Sequence, residues 1–374
     1  MSSIKRKLML MFLKHPKMVS NNILNSIHWK DGNLFEDHQN TQVYILPADF
    51  LSLVKRELIE IVGNKVSKVL IYYLNQYSAD LIVKDAKEMG FMRFDIIKYF
   101  CSIMALFGWG HPSTFIFNPE SSAGTIKLYN FPSVSELFES PVHYEFAGIA
   151  ARVIKLVYNI DVGIEETKCI AMGEEFCEFN ISAVDPEKYK PKFDLELEKV
   201  QQINAESIPR YIKFKKFLDS ISMDETGVLN TQDGYRVIIK DVISINSMMN
   251  AFSDTLGAKT LGGILYRCGM SLKFPFDSVC HTIGDLNQLL ERISLLGWGK
   301  FRLIKQDQNE FIIELENSAF TLGLPIGEHA TCHVISGLLH NVIENYLCKK
   351  ILVVKEEKCK AKGDNICRFN VKML

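Results

Sequence analysis

The 374-residue chain lacks the features that mark a membrane or exported protein. No apolar run approaches the roughly 20 residues that a bilayer-spanning helix needs. The first residues, MSSIKRKLMLMFLKHPKM, hold a shorter apolar run between basic residues, without the small-residue cleavage site of a signal peptide. We therefore expect a cytoplasmic protein with no transmembrane segment, whose N-terminal stretch forms an amphipathic helix packed on its own domain.

An excess of charge of one sign is also missing. Lysine and arginine number 43 against 44 aspartate and glutamate, for a formal net charge of −1. Such a balance provides no broad field for nucleic acid or an anionic membrane. No helix-turn-helix pattern is readable either, so direct nucleic-acid binding is not expected.

The common catalytic motifs are absent as well. The sequence has no nucleophile elbow, no glycine-rich phosphate loop, and no His-Glu-x-x-His zinc helix. His111 and the neighbouring pair Cys280 and His281 stand alone, and an isolated histidine is more often structural. The sequence does not favour an enzyme.

What is present is an ordinary globular composition with an unusual set of cysteines. Hydrophobic residues make up 47% and charged residues 23%, and the length suits two domains better than one. Nine cysteines without an export signal indicate a reducing compartment. There, paired cysteines more often hold metal or perform redox chemistry than form structural disulfides.

The chain repeats itself. Residues 22–46 align with 216–240, so that Val43 is matched with Val237. Likewise, LFGWG (106–110) aligns with LLGWG (295–299). Between these segments, Gly63 matches Gly257. The joint is DPEKYKPKFDLELEKVQQINAES, a charged stretch with two prolines. We predict a first domain over 1–188, with an N-terminal helical extension, and a second over 189–374 that starts with a linker helix.

Each copy has the periodicity of an α+β domain. Both begin with strands and a helix pair, continue with two or three strands and a long amphipathic helix, and end in a hairpin. In the first copy, Ser140 and Pro141 are suited to be the N-cap and first residue of the long helix. This order predicts an antiparallel sheet packed with helices.

The closing hairpins share one spacing. CIAMGEEFCEF (169–179) and CKAKGDNICRF (359–369) both read Cys-x3-Gly-x3-Cys-x-Phe. A turn that needs positive φ is most easily made by glycine, so each chain should reverse at Gly173 and Gly363. The two cysteines of each hairpin would then face one another across the strands.

Further ligand types stand at matched positions. A glutamate precedes each first cysteine by three residues, and it can join the sulfurs only if the strand bulges or twists there. His143 and Cys332 occupy equivalent positions at the start of the long helix. These residue types suit tetrahedral zinc, and four protein ligands favour a structural role. The two predicted sites are His143, Glu166, Cys169 and Cys177, and Cys332, Glu356, Cys359 and Cys367.

The two sites differ in charge, and other roles stay open. With Zn²⁺ and deprotonated ligands the first site sums to about −1 and the second to about −2, so the second should hold metal more tightly. Alternatively, the hairpin cysteines are packed as small apolar residues, or form a redox pair that closes as a disulfide.

The Glu-x2-Cys-x3-Gly-x3-Cys run, with Cys-x4-Gly before it, resembles the 4-vinyl reductase domain. That domain is found in archaeal proteins and in the sensor regions of phenol- and aromatic-responsive bacterial activators. The resemblance implies an α/β ligand-binding module with zinc held by Cys, Glu, Cys and Cys. The second copy matches all four ligands, whereas the first has His143 in place of a cysteine.

The resemblance further implies a sensor that binds a small hydrophobic or aromatic ligand. Relatives often control DNA directly, but because no helix-turn-helix is readable in this chain we expect it to have no DNA-binding domain of its own. Phe107, Trp109 and Trp298 are suitable pocket residues, and a regulatory protein partner would carry the output. Alternative roles are a protein-interaction scaffold, in which the tandem imitates a homodimer, or a thiol redox sensor. A tetrapyrrole vinyl reductase is less favoured because no reductant site is apparent.

Overall fold

The structure is a computed structural model. It describes residues 24, 26–36, 41–132, 138, 140–184, 217–224, 228–273, 285–307, 309–324 and 326–374. The predicted N-terminal amphipathic helix and the linker after residue 184 lie outside these residues.

The order of helices and strands is nearly the same in the two halves of the chain. Up to residue 184 the elements are β1 (Ile27–Lys30), β2 (Asn33–Glu36), β3 (Thr41–Pro47), α1 (Phe50–Leu74), α2 (Gln76–Glu88), α3 (Phe94–Leu106), β4 (His111–Asn118), β5 (Ala123–Tyr129), α4 (Tyr144–Tyr158), β6 (Val162–Lys168) and β7 (Cys177–Ala183). The rest are β8 (Ile221–Met223), β9 (Leu229–Thr231), β10 (Arg236–Asp241), α5 (Val242–Leu256), α6 (Ala258–Ser271), α7 (Leu286–Ser294), β11 (Lys300–Gln306), β12 (Glu310–Glu316), α8 (His333–Leu347), β13 (Ile351–Lys358) and β14 (Cys367–Met373). The prediction of α+β domains with antiparallel sheets is confirmed.

The matched glycines mark the same interruption in both halves. Helix α1 is broken at Gly63, where φ is 77° and ψ is 160°. At its counterpart, Gly257, φ is 83° and ψ is 140°, and this residue separates α5 from α6. The two helical pairs therefore have the same construction.

The first compact unit contains residues 58–184, together with residues 222–224 and 228–230. Its antiparallel sheet has the order β4-β5-β7-β6. The core forms where the apolar face of α4 meets that sheet and α3: the ring of Phe146 lies 4.8 Å from Phe179 and 5.9 Å from Phe100, between ring centroids. The apolar residues that recur at helical spacing thus form the face that α4 buries, as the sequence predicts.

The second compact unit contains residues 26–57, 217–221 and 231–374, with the corresponding sheet order β11-β12-β14-β13. It also contains a sheet in which β1, β2, β3 and β10 are consecutive and antiparallel. Residues 26–57, which the repeat assigns to the first copy, thus cluster with the second unit. The boundary at residues 188 and 189 describes the duplication and stays a prediction.

The long helix of the first unit starts later than the sequence indicates. Its N-cap is His143 and its first residue is Tyr144, so the placement of the cap at Ser140 is wrong. The backbone N–H groups of Val142 and His143 donate to the carboxylate of Glu166, at 3.0 and 2.9 Å. A distant acidic side chain therefore supplies the hydrogen bonds that a local serine would otherwise provide.

Among the described helices, none combines the length and the apolar character needed to cross a bilayer.

Candidate metal centres

Each terminal hairpin turns as the sequence predicts, but by a wider loop. Gly173 and Gly363 have φ values of 87° and 92° and each ends a single 3-10 turn, so the prediction of positive φ is confirmed. The ladder of the first hairpin closes at Lys168 opposite Glu178, so Cys169 lies just beyond the paired residues. The two cysteines of that hairpin meet across a loop instead of a ladder rung.

A bulge in each first strand removes the geometric obstacle to the glutamates. The register of β6 shifts between Glu166 and Lys168, and that of β13 shifts between Glu356 and Lys358. The extra residue lets a glutamate three positions before a cysteine lie on the same side as its sulfur. The bulge that the sequence required is present in both copies.

The structure brings together all eight predicted ligands as two separate groups. In each group the ligand atoms lie within 4.8 Å of one another. Tetrahedral zinc with Zn–S bonds of about 2.3 Å needs donor atoms roughly 3.8 Å apart, so both groups are compact enough. The groups are His143, Glu166, Cys169 and Cys177, and Cys332, Glu356, Cys359 and Cys367.

In the first group the imidazole of His143 is in contact with every other member. Its Nδ1 lies 2.7 Å from Glu166 Oε1, 3.5 Å from Cys169 Sγ and 3.3 Å from Cys177 Sγ. Burial raises the pKa of Glu166, but the charge and hydrogen bonds of His143 outweigh it and leave that pKa below its usual range. The carboxylate of the first group is thus stabilised by the protein itself.

In the second group no histidine stands beside the carboxylate. Both oxygens of Glu356 are buried and have no hydrogen-bond partner among the described residues. Burial, followed by the negative charge of Cys359, raises the pKa of Glu356 to about 9. A buried carboxylate beside three thiols is costly unless a cation compensates it. The donor set therefore fits a divalent metal ion.

Thiolate formation is favoured at one cysteine in each group. A hydrogen bond from Cys177 is the main cause that lowers the pKa of Cys169, to about 6. In the second group, hydrogen bonds from Cys332 and Cys367 hold the pKa of Cys359 far below its usual value. A thiolate is the form that binds zinc, so each group holds one sulfur close to that form.

Hydrogen-bonding groups that the sequence analysis missed lie beside the sulfur atoms of the second site. The hydroxyl of Ser318 lies 3.2 Å from Cys332 Sγ, and that of Thr331 lies 3.8 Å from Cys359 Sγ. The backbone N–H of Lys360 donates to Cys367 Sγ at 3.4 Å, as that of Ile170 does to Cys177. Backbone N–H donors cannot be predicted from the spacing of residue types in the sequence.

The aromatic residues expected in a ligand pocket are buried in the two units. In both Gly-Trp-Gly motifs all glycines have positive φ, from 81° to 123°, and this turn buries the tryptophan between them. Trp298 donates its indole N–H to the carbonyl of Ile45 at 2.9 Å, and Trp109 packs on Phe131. A ligand role for Phe107, Trp109 and Trp298 stays a prediction.

One cysteine differs from the expectation for a reducing compartment. Cys348 is disulfide-bonded and lies at the left-handed C-cap of α8. The five cysteines of the two ligand groups, Cys169, Cys177, Cys332, Cys359 and Cys367, are all free of disulfide bonds. These five sulfurs are therefore reduced, as metal binding requires.

Comparison with protein families finds the 4-vinyl reductase domain twice, at residues 125–183 and 311–373. Each match spans β5 to β7 or β12 to β14 and so includes one complete ligand group. The resemblance expected from the sequence is confirmed. No curated protein sequence matches the chain.

Several solved structures match part of the chain at low identity. The phenol-responsive sensory domain of the transcription activator PoxR, with phenol, is 15% identical over 44% of this chain and 88% of that domain, with a TM-score of 0.37. A vinyl-4-reductase family protein from Methanocaldococcus jannaschii is 17% identical over 36% of this chain and 92% of that protein, with a TM-score of 0.24. A trafficking protein particle complex subunit 3 from Naegleria fowleri, covalently bound to palmitic acid, is 16% identical over 36% and 83%, with a TM-score of 0.24.

Proposed function

We propose that the chain is a zinc-containing small-molecule-binding protein with a regulatory, sensor-type role. In this proposal each 4-vinyl reductase domain is fastened by one zinc ion, and a separate protein carries any effect on DNA. The ligand is a small hydrophobic or aromatic molecule. A cytoplasmic location and a regulatory protein partner belong to the same proposal.

The buried carboxylate of Glu356 is the observation that supports the metal most strongly. It has no hydrogen-bond partner among the described residues, and three sulfur atoms surround it. The residues that would hold the ion are Cys332, Glu356, Cys359 and Cys367 in the second unit and His143, Glu166, Cys169 and Cys177 in the first. Zinc would supply tetrahedral coordination without redox chemistry.

The positions of the ligands support a structural function for the metal. His143 and Cys332 are the N-caps of α4 and α8, and the other ligands lie at the closing hairpins. Coordination by these residues would fasten the start of the long helix to the hairpin beside it. Four protein ligands fill a tetrahedral sphere, which is typical of a structural site and not of a catalytic one.

Metal analysis and ligand identification test the proposal on one preparation. The full chain, purified under reducing conditions, is expected to contain two zinc ions, and organic extraction followed by mass spectrometry is expected to yield a bound hydrophobic compound. A panel of small aromatic and aliphatic compounds should raise the melting temperature of the loaded protein. A chain free of metal, or a loaded chain that responds to none of the compounds, would contradict it.

A thiol redox sensor is the second candidate, and the sulfur geometry favours it. Cys332 Sγ lies 3.6 Å from Cys367 Sγ, so little movement would bring the two atoms to the roughly 2.05 Å of a disulfide. Mild oxidation of the purified chain with hydrogen peroxide, without prior metal removal, followed by mass mapping of disulfides, tests this role. A sensor would form this pair reversibly, and a zinc-protected structural site would not.

A further inference from the structure

The edge strand β13 of the second unit carries a group of exposed lysines. It ends the sheet order β11-β12-β14-β13, with β14 beside it. Four lysines on the strand or just before it are exposed: Lys349, Lys350, Lys355 and Lys358. None of the four has an ion-pair partner within 4 Å in the part of the chain that the structure describes. Positive charge therefore accumulates here, although the whole chain has a formal net charge of −1.

Two aliphatic side chains are exposed among these lysines. Leu352 is 59% exposed and Val353 is 40% exposed. The register of β13 shifts between Ile351 and Val353, so that Leu352 is the extra residue of a bulge. Beyond it, Val353, Lys355 and Lys358 stand opposite every second residue of β14 and thus lie on one face of the sheet. The lysine patch consists of Lys349, Lys350, Leu352, Val353, Lys355 and Lys358.

The carboxylates beside the lysine patch have other partners. Glu344 Oε2 lies 3.3 Å from His340 Nε2 and accepts the backbone N–H of Ile351 at 3.1 Å. Glu357 accepts a hydrogen bond from the side-chain amide of Asn370 at 3.2 Å. Because these acids are held elsewhere, the lysines of the patch stay available to an anion from outside the chain.

The first copy lacks this patch. The left-handed C-caps of α4 and α8, together with the first cysteine of each hairpin, fix the correspondence between the copies. At the positions of the first three lysines the first copy has one aliphatic and two acidic residues, Ile160, Asp161 and Glu165. The fourth position keeps a lysine, Lys168. The charge of the lysine patch is therefore a feature of the second copy.

The acids at the matched positions of the first copy already have partners. Asp161 Oδ2 lies 2.6 Å from Lys155 Nζ. Glu165 Oε1 lies 3.7 Å from Lys68 Nζ. Charge is thus balanced within the first unit at the place where the second unit leaves it unbalanced.

Protection of a sheet edge explains only part of the lysine patch. Natural edge strands often carry lysine, which discourages pairing with another chain, and the two lysines within β13 fit that role. Lys349 and Lys350 precede the strand, however. Exposed aliphatic residues in its first half, Leu352 and Val353, favour association instead of preventing it. An external partner accounts for both observations.

Lysines and aliphatic side chains together fit an anionic lipid surface better than they fit other anions. Nucleic acids and phosphopeptides are commonly bound by arginine forks or aromatic faces, and the nearby Arg368 already donates to Glu314 at 3.0 Å. A second copy of this chain offers acids that are already paired in its matched hairpin. Lipid headgroups require several point charges in no fixed geometry, and the acyl boundary accepts aliphatic side chains.

We propose that the lysine patch is a peripheral contact with membranes that contain anionic lipids. The four lysines lie at the headgroup phosphates, and Leu352 and Val353 reach the boundary with the acyl chains. The electrostatic part of this contact acts only within about a Debye length of the surface, so it needs no excess charge on the rest of the chain. The inference goes beyond the proposed small-molecule function and does not depend on it.

Sedimentation of the full chain with vesicles tests the proposal. We expect the chain to bind vesicles of about three parts phosphatidylcholine to one part phosphatidylserine, and not vesicles of phosphatidylcholine alone. Each lysine near an anionic surface strengthens binding by about fivefold. Lys349→Gln, Lys350→Gln and Lys355→Gln, made together, should therefore weaken binding by at least about tenfold. Added salt should weaken the binding of the wild type.

Two further variants separate local charge, net charge and aliphatic contact. Lys65→Gln, Lys84→Gln and Lys87→Gln, made together, are the matched control, because they remove the same charge from exposed lysines of the first unit. This variant should bind as the wild type does. Leu352→Ala keeps every lysine and should weaken binding several-fold, since it removes apolar surface at the acyl boundary. Circular dichroism checks that each variant is folded.

The proposal is overturned if the wild type does not bind the phosphatidylserine vesicles, or if the patch variant and the control variant bind them equally well. Tighter binding to duplex DNA than to these vesicles at the same salt would overturn the assignment to lipid. Metal content and the response to small compounds are measured separately, so failure of this proposal leaves the proposed function standing.

Discussion

Ile45 lies directly opposite Ile239 in the antiparallel ladder between β3 and β10, and the two residues occupy the same position of the repeat. On either side of this pair, Val43 faces Asp241 and Pro47 faces Val237. The pairing is therefore the same when read from either strand, as in the interface of a symmetric dimer. This pairing is the observation that favours the scaffold alternative, in which the tandem imitates a homodimer.

We expect Ile45→Ala and Ile239→Ala to destabilise the protein by similar amounts, about 2–5 kcal/mol each. Both side chains are almost completely buried, at 0% and 1% exposure. Chemical denaturation followed by circular dichroism measures the free energy of unfolding. Leu352→Ala, at a position with 59% exposure, is the control and should change it by less than about 0.5 kcal/mol. A large difference between the two isoleucine variants would argue against a symmetric role for the pair.

Tyr44→Phe should stabilise the protein. The hydroxyl of Tyr44 is buried without a hydrogen-bond partner among the described residues, while its ring stacks on Phe320. Removing an unpaired buried hydroxyl and keeping the ring should add about 1–3 kcal/mol to the free energy of unfolding.

The advantage of Tyr44→Phe should grow above pH 10. Burial, helped by the charge of Asp241, holds the pKa of Tyr44 well above its usual value. Above pH 10 the unfolded chain releases the phenolic proton and the folded chain retains it, so the wild type loses stability as pH rises. Denaturation at pH 8 and pH 10.5 measures the change. Tyr235→Phe, at a partly exposed ring, should show neither effect.

Cys359→Ala should remove one metal ion per chain and leave the first site loaded. The substitution deletes the most acidic thiol of the second group. Elemental analysis measures the metal. The loss of bound metal should cost the second unit about 4 kcal/mol when free zinc stands at 1,000 times its dissociation constant. Cys101→Ala, outside both groups, is the control. Unchanged metal content in Cys359→Ala would count heavily against the assignment.

In the metal-free protein, replacing Glu356 and Glu166 by glutamine should change the stability in opposite directions. Glu356→Gln removes an unpaired buried acid and should stabilise the second unit near pH 8, by about 1–3 kcal/mol. Glu166→Gln breaks the 2.7 Å contact with His143 and should destabilise the first unit. Thermal unfolding in the presence of a chelator compares them. A change of the same sign in both variants would contradict this account.

The pH dependence of Glu356 has a definite sign. In the unfolded chain a glutamate ionises near pH 4.5, whereas the folded, metal-free chain holds this proton up to about pH 9. The contribution of this group to stability is therefore complete below pH 4.5 and falls as pH rises towards 9. Glu356→Gln should remove that part of the slope, measured as the difference from the wild type across this window.

Much of the candidate site could be predicted from the sequence because its parts are local. Glycine midway between two cysteines predicts a turn with positive φ, and Gly173 has it. The duplication then predicted Glu166 as a ligand, because Glu356 stands at the same spacing in the second copy. It predicted His143 because His143 and Cys332 each precede a matched glycine by five residues. The bulge that joins the glutamate to the sulfurs was a required condition, and it was found only in the strand register.

Features that depend on contacts between distant elements were not predictable in this way. Helix α4 begins at Tyr144, later than the sequence predicts, because a carboxylate from β6 accepts a hydrogen bond from the backbone just before it. No residue near this point in the sequence indicates the contact. Likewise, the lysines of β13 can be read in the sequence, but their lack of ion-pair partners among the described residues cannot. Their acidic counterparts Asp161 and Glu165 have partners because the fold places lysines beside them.

The sequence by itself determined the duplication, the α+β class, the turn of each hairpin and the candidate ligand residues, since periodicity and backbone preference act over a few residues. The three helices α1, α2 and α3, where the sequence predicts a pair, were not determined in this way. The tertiary structure decided which unit residues 26–57 join, where the long helix begins and which charged side chains have a partner. Those outcomes depend on the volumes and hydrogen-bonding groups that meet from distant parts of the chain, which linear spacing does not record.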